Sequence, residues 1–279
     1  VSHVLGTTSV SFDVAFFELF APLIQGGCVR MLPNALAVRE VQECPEDGWL
    51  LVTVPSAARE LVASQILPRS VRAMNLAGEA LTQDLVELIA ARAPWVHQIR
   101  DLYGPSEDTT YSTWGHRRDG DVQHIGMPVT GTQAFVLDPA LRLCPIGVTG
   151  ELYLGGEKLA RGYLGRPGLT AARFIPAPLG PPGARVYRTG DLARWLPDER
   201  LQYLGRLDHQ VKIRGVRVEL EEVESTLVAQ PEVFECAVIA DEDRAGDKRL
   251  VAYIVSSVSE SVLPVPELRA RLGRTLPDH

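Results

Sequence analysis

The sequence predicts an α/β fold: a parallel-sheet layer and a β-barrel-like region in one large subdomain, then part of a small α+β subdomain. Three observations predict it. Short apolar runs alternate with amphipathic stretches between residues 28 and 115, the pattern of a parallel sheet with crossover helices. From Gly126 the helical period stops, and Gly and Pro punctuate short β-type runs, as in antiparallel sheets and barrels. After Asp208 a short unit with both strand and helix patterns follows. The division expected is 1–207 (α/β over 1–125, β-rich over 126–207) and 208–279.

The elements justify this in order. Val4, Thr8, Val10 and Phe12 suggest a strand, and Phe16, Leu19, Phe20 and Leu23 recur at helical spacing over Val14–Leu23. Gly26-Gly27 closes that helix. CVRML at 28–32 reads as a strand and 38–47 as a helix and loop. LLVTV at 50–54 reads as a buried strand, followed by Pro55-Ser56 and an amphipathic helix to about Gln65. Val71–Leu76 is a strand, and Thr82 caps a helix with Leu85, Leu88 and Ile89 on one face. The β-rich part holds strands at 133–137, 151–154, 186–188 and 201–203, and an exposed Pro/Gly-rich stretch at 171–184. In the tail, period-2 alternation runs through Val211, Ile213 and Val216. A helix then starts near Leu220, with Val223 and Leu227 on its face and Pro231 beyond it. Strands at 234–239 and 250–255 and a helix near Pro266 complete it.

Composition excludes several classes. The 279 residues hold 28 Lys and Arg against 35 Asp and Glu, a net charge of −7, which argues against a general nucleic-acid binder. No apolar run approaches the roughly 20 residues of a membrane span, and no secretory leader is visible. Cys28, Cys44, Cys144 and Cys236 are scattered without metal spacing. They read as reduced, buried cysteines of a cytoplasmic protein. The chain starts at Val1 without Met and stops at Leu-Pro-Asp-His, so a piece of a longer protein is expected.

Two places invite chemistry. Residues 99–114, IRDLYGPSEDTTYSTW, join a strand to a second β-rich run through Gly104-Pro105. Gly104 permits positive φ and Pro105 fixes φ, giving a rigid corner. Tyr103 is then a flat stacking surface, and Ser106 and Glu107 are polar groups suited to a phosphate–metal centre; an ordinary solvated loop is the alternative. The second place is Asp13, among Phe12, Val14, Phe16 and Phe17. It is either an N-cap of the following helix or a carboxylate awaiting a cation. Asp13, Val52, Asn75 to Ala77, and Leu102-Tyr103 all fall near C-terminal strand ends, where parallel sheets bind ligands.

Seven blocks in chain order carry a family likeness: SFDVAFFE, NLAGEAL, LYGPSEDT, GELYLGGEKLARGYL, YRTGDL, GRLDHQVKIRGVRVELEEVE and LPD. The chain resembles the adenylation domains of nonribosomal peptide synthetases, within the adenylate-forming enzymes, over half to two-thirds of such a domain. The resemblance implies ATP- and Mg²⁺-dependent activation of an amino acid to its adenylate. Transfer to the phosphopantetheine thiol of a carrier protein follows, with a condensation domain alongside. It implies that Tyr103 stacks on adenine beside Gly104, with Ala77, Gly78 and Glu79 on the other side of the base. Ser106 stands where the family has Thr and faces the α-phosphate, and Glu107 holds Mg²⁺. Asp191 takes the ribose hydroxyls with help from Arg206; a turn aspartate and a surface ion pair are the plainer alternatives. Asp208 matches the hinge. Lys212 and Arg214 follow on a loop facing the nucleotide in the thiolation state, unless they form a solvated basic face. Asp13 pairs with the substrate's α-ammonium. The side-chain pocket is Val14, Phe17, Val52, Asn75, Ala77, Leu102, Thr110 and Tyr111, which carries no charge and leaves little volume. A small neutral amino acid is implied, alanine first. The Pro/Gly-rich stretch lies where family members can meet a small MbtH-like activator. The family's phosphate loop and its C-terminal catalytic Lys fall outside Val1–His279, so the piece alone is expected to be inactive. The alternatives are another adenylate-forming ligase, acting on acyl or aryl acids, and a non-catalytic remnant or docking module.

Overall fold

The computed structural model describes residues 2–41, 48–208, 210–213, 215–242, 248–257 and 265–276. Cys44, Arg214 and the final Pro-Asp-His lie outside the described residues. The chain divides into two compact units, Val1–Leu207 and Asp208–His279.

The first unit opens with a seven-stranded sheet. Its strands are β1 (His3–Gly6), β2 (Cys28–Met31), β3 (Trp49–Thr53), β4 (Val71–Ala77), β5 (Gln98–Tyr103), β6 (Thr113–Arg117) and β7 (Met127–Pro128), in the order β2-β1-β3-β4-β5-β6-β7. The first five strands in that order pair in parallel, and β6 and β7 add antiparallel. The order reverses between β1 and β3, which is the switch point where open α/β sheets place ligands. Helices α1 (Val14–Leu23), α2 (Pro55–Ala63) and α3 (Gln83–Arg92) connect the strands, with a 3₁₀ turn at Ala35–Glu40.

Register assigns the two faces. The row Leu5–Leu51–Met74–Ile99 enters the main core with Leu61, Leu85 and Ile89 of α2 and α3. The row Val4–Leu50–Ala73 lies on the opposite face, packed with Val14 and Phe17 of α1. Burying each such aliphatic side chain contributes about 1.5–3 kcal/mol.

The helices depart from the sequence reading in their details. On α1, Phe16, Phe20 and Leu23 are exposed while Ala15, Glu18 and Pro22 face inward. Glu18 is inside because its carboxylate accepts from Thr8 N (3.0 Å) and Thr8 Oγ1 (2.7 Å), closing the β1–α1 loop; burial pushes its pKa up. Thr82 stands at the N-cap position of α3 but makes no side-chain cap bond; its hydroxyl accepts from Arg59 (3.3 Å). Cys28 is exposed, against the expectation of burial, because β2 is an edge strand with mostly exposed residues.

The region expected to be barrel-like takes the form of an open antiparallel sheet. It comprises β8 (Thr132–Leu137), β9 (Gly150–Gly156), β10 (Phe174–Pro176), β11 (Arg185–Trp195) and β12 (Leu201–Arg206). Its path runs β10-β11-β9-β8, with β12 also on β11. A short helix α4 (Pro167–Arg173) precedes β10. The Pro/Gly-rich stretch is therefore not wholly exposed: Phe174 is buried and pairs with Tyr187. A second core of Tyr103, Ile125, Leu152, Leu154, Ala193 and Leu201 joins this sheet to the end of β5.

In the second unit the expected single alternating strand is a hairpin, β13 (Val211–Ile213) and β14 (Val216–Val218). Gly215 at φ 79° turns it, a conformation that glycine adopts without steric cost. Helix α5 (Leu220–Val228), strands β15 (Val233–Glu242) and β16 (Lys248–Ser256), and helix α6 (Val265–Leu272) follow. Leu220, Leu227, Val233, Val238 and Leu268 form their core.

Candidate functional site

Asp13 sits at the N-cap position of α1 without capping it. Its backbone is itself helical, φ −64° and ψ −24°, so the side chain does not fold back on the first turn. The carboxylate instead accepts from Thr110 N at 3.0 Å. Among the described residues no cation reaches it.

The residues expected to wall a pocket gather on one sheet face. Val14, Phe17 and Val52 pack together. Val52 is in register with Asn75, and Ala77 with Leu102. Phe17 meets Tyr111 edge-on, with centroids 5.3 Å apart. Tyr111 is buried with its hydroxyl unpaired; burial, then Glu18 and Asp13, push its pKa up. One expectation fails here. Arg100, half-buried in register with Asn75, donates to Asn75 Oδ1 at 3.1 Å, so a charge does adjoin the pocket. Burial lowers its pKa. Sequence reading missed it because only the register brings it there.

The Gly-Pro corner differs from expectation in its cause. Gly104 is absent from the positive-φ residues; it is needed for close approach. A Cβ there would sit 2.3 Å from Thr110 O and 2.8 Å from Ser112 N. The positive φ angles fall instead on Thr109 (56°) and Thr110 (67°). Such angles on β-branched residues cost on the order of 1–3 kcal/mol each and persist only where surroundings impose them.

Those surroundings come from Asp108 and from the segment after β9. Asp108 accepts from Ser112 Oγ (2.6 Å) and Thr132 Oγ1 (3.2 Å). Lys158 Nζ donates to Asp108 O (3.3 Å) and Tyr111 O (2.5 Å), and Thr109 Oγ1 donates to Lys158 O (2.7 Å). Glu107, in the 3₁₀ turn Ser106–Asp108, is buried, and its Oε1 accepts from Tyr163 OH at 2.6 Å. Burial, and then the bond to Glu107, raise the Tyr163 pKa. Ser106 is exposed at the head of this turn. Lys158 and Tyr163 were not singled out in the sequence, although both stand in the GGEKLARGYL run.

Asp191 is a strand residue rather than a turn aspartate. It lies on β11 where the register shifts on either side and Gly190 takes φ 76°; such a bulge re-aims a side chain. Its buried carboxylate accepts from Tyr103 OH (2.5 Å) and from Arg206 Nη1 (2.8 Å). Arg206 is its register partner on β12. The Arg206 side chain is 11% exposed, which removes the surface ion-pair alternative. Tyr103 is 8% exposed, and its hydroxyl is spent on Asp191. Burial first, then Asp191, push its pKa well up.

Other positions serve the scaffold. Glu79 accepts from Ser56 N (2.9 Å) and Ser56 Oγ (3.0 Å), capping α2, whose own N-cap Val54 has no side-chain bond to give. Gly78 takes φ 88°, leaving Ala77–Gly78 as bare backbone at the end of β4. Asp208 and Lys212 belong to the second unit. Asp208 Oδ1 accepts from Gln210 N (3.3 Å), and Lys212 is on β13 opposite Arg217. Among the described residues no three His, Cys, Asp or Glu cluster as a metal cage, and no helix is long and apolar enough to cross a membrane.

Comparison with known proteins supplies the family. A model described as AMP-binding enzyme matches residues 2–164, and one for the AMP-binding enzyme C-terminal domain matches residues 222–279. The chain belongs to the AMP-binding enzyme family. It is similar to a linear gramicidin synthase of Brevibacillus parabrevis, 51% identical over 263 residues, covering 93% of this chain and 5% of that protein. It is similar too to a dimodular nonribosomal peptide synthase of Bacillus subtilis, 41% identical over 287 residues, covering 99% of this chain and 12% of that protein. The chain thus spans a small part of those relatives' length. Among solved structures it is similar to holo-PA1221, a nonribosomal peptide synthetase protein with adenylation and carrier domains bound to a vinylsulfonamide inhibitor. The identity is 29% and the TM-score 0.85, covering 96% of this chain and 47% of that one. The proteins that this AMP-binding enzyme resembles thus include nonribosomal peptide synthetases.

Proposed function

We propose that this chain is the amino acid-selecting part of an adenylation domain, which condenses an amino acid carboxylate with ATP to an aminoacyl-adenylate and releases pyrophosphate. One observation carries the reading. Asp13 is half-buried beside an apolar cluster, held by a single amide N–H and without a cation among the described residues. A carboxylate so placed is matched when a ligand ammonium arrives. The corner at Asp191, Arg206 and Tyr103 supports a ribose site, since a buried carboxylate accepts from a diol. Ala77 and Gly78 offer the base backbone approach, with Glu79 steadying that loop. Ser106 and Glu107 offer hard oxygen donors. Such a sparse set suits Mg²⁺, which takes one or two carboxylates plus phosphate oxygens. Bound there, the ion would neutralise phosphate charge; the chain's own part is to orient the two substrates.

Val14, Phe17, Val52, Asn75, Ala77, Leu102 and Tyr111 favour a small neutral side chain, alanine first. One methylene in such a pocket is worth about 1–3 kcal/mol. Asp208 serves as a hinge and Lys212 follows it. Acyl transfer to a carrier-protein phosphopantetheine thiol, a neighbouring condensation domain and an MbtH-like partner at 171–184 complete the reading, in the cytoplasm. The test is ATP–pyrophosphate exchange by the full-length protein with amino acids and their des-amino analogues. Alanine should give strong exchange and propionate none, and Asp13→Asn should cut exchange about a hundredfold. Equal exchange with propionate would overturn amino acid activation in favour of a general acid-activating ligase.

A further inference from the structure

The turn carrying Thr110 and Tyr111 holds two successive threonines at positive φ, and one side chain from a distant strand end closes over it. Lys158 Nζ bonds the carbonyls at both ends of that pair, Asp108 O and Tyr111 O. Its ammonium also stands 3.6 Å from the buried Asp108 carboxylate, and its own carbonyl receives the Thr109 hydroxyl. An ammonium has three donors and no acceptor, so it can hold converging oxygens that would otherwise repel one another.

What the turn presents is the pocket: Thr110 N is the donor to Asp13, and Tyr111 is the ring against Phe17. We infer that Lys158 is a positioning residue for the amino acid pocket, setting the place of Thr110 N and the Tyr111 ring. The inference rests on the reading of Asp13 as the ammonium partner. The nucleotide side is held by other means: Asp191 is fixed by Tyr103 from β5 and Arg206 from β12, and Glu107, although it shares the Ser106–Asp108 turn, is held by the Tyr163 hydroxyl (2.6 Å) and by the Ala160 amide on its carbonyl (2.9 Å). The effect of losing Lys158 should therefore divide between the two substrates.

The experiment is steady-state ATP–pyrophosphate exchange by full-length wild type, Lys158→Met and Lys158→Arg, with melting temperatures alongside. Lys158→Met keeps the apolar stem and removes the ammonium. Its KM for the amino acid should rise about tenfold, with KM for ATP and kcat within about twofold of wild type. Lys158→Arg, which still donates to carbonyls, should recover most of the loss. An unchanged amino acid KM in folded Lys158→Met, or parallel rises in both KM values, would overturn the inference. If Lys158→Met does not fold, Lys158→Arg carries the same test through a smaller rise confined to the amino acid KM. Wild type inactive with every amino acid would sink the proposed function. An active wild type with an indifferent Lys158→Met would sink only this inference.

Discussion

Asp191 owes its position to three partners. Tyr103 is 88 residues away in sequence and Arg206 is 15, while Thr189 Oγ1 accepts from the Asp191 amide at 3.0 Å. Asp191→Asn preserves volume but removes the charge facing a mostly buried guanidinium. It should destabilise the first unit by on the order of 3 kcal/mol, read by denaturant melts, and weaken AMP binding in the same variant. At this scale Asp13 and Glu107 stood out in the sequence by their neighbours, whereas Asp191 and Arg206 stood out only through the family likeness of the YRTGDL and GRLDHQ blocks. The sequence was not legible where a partner lies far along the chain. Nothing near Tyr103 indicates that its hydroxyl is spent on Asp191, and nothing near Asn75 indicates Arg100.

The corner after β5 is an element whose shape depends on one missing atom. With a Cβ at residue 104 only 2.3 Å from Thr110 O, Gly104→Ala must push the 109–110 turn outward. The cost should be about 1–3 kcal/mol, measured by thermal melts, with a weaker amino acid response than ATP response in exchange assays. Strands and helices themselves were readable, because period and breakers report burial directly: α2, α3, α5 and β3 to β5 lie where the pattern put them. Caps were readable by residue type but not by partner. Asp13 and Thr82 occupy cap positions and bond elsewhere, and α2 takes its cap from Glu79 of the loop after β4. The apolar stripe of α1 misled for a related reason: Glu18 is drawn inside by Thr8 and turns Phe16 and Phe20 outward.

Over the whole molecule, His124 contributes an acid limit to the first unit, while Asp101, raised by burial to about 7, acts in the opposite direction. His124 is 1% exposed with neither ring nitrogen bonded; burial, then Arg200 and Arg117, lower its pKa from 6.5 to about 4. The unfolded chain therefore binds a proton that the folded chain refuses between those values. The His124 contribution is full above pH 6.5 and falls as pH drops toward 4, by up to about 3 kcal/mol at roughly 1.36 kcal/mol per pH unit. The difference in denaturant midpoint between wild type and His124→Asn, measured from about pH 4 to pH 7.5, should show that slope, and a pH-independent difference would exclude it. The two-part organisation was legible because composition and period change at Gly126 and again after Asp208. The open edge of the second sheet was not, since turn residues mark strands without revealing which of them close a ring.

The bond from Tyr103 to Asp191 runs from β5 of the first sheet to β11 of the second. The carboxylate proposed to receive the ribose is thus also a stitch along the seam of the two sheets. A sugar hydroxyl at the proposed ribose site would share the carboxylate with the phenol on Oδ2 and the guanidinium on Oδ1, since an ionised carboxylate accepts at about four positions. Cohesion of the seam and occupation of the proposed ribose site thus meet on one carboxylate, and variants that loosen the sheets are expected to change AMP affinity as well.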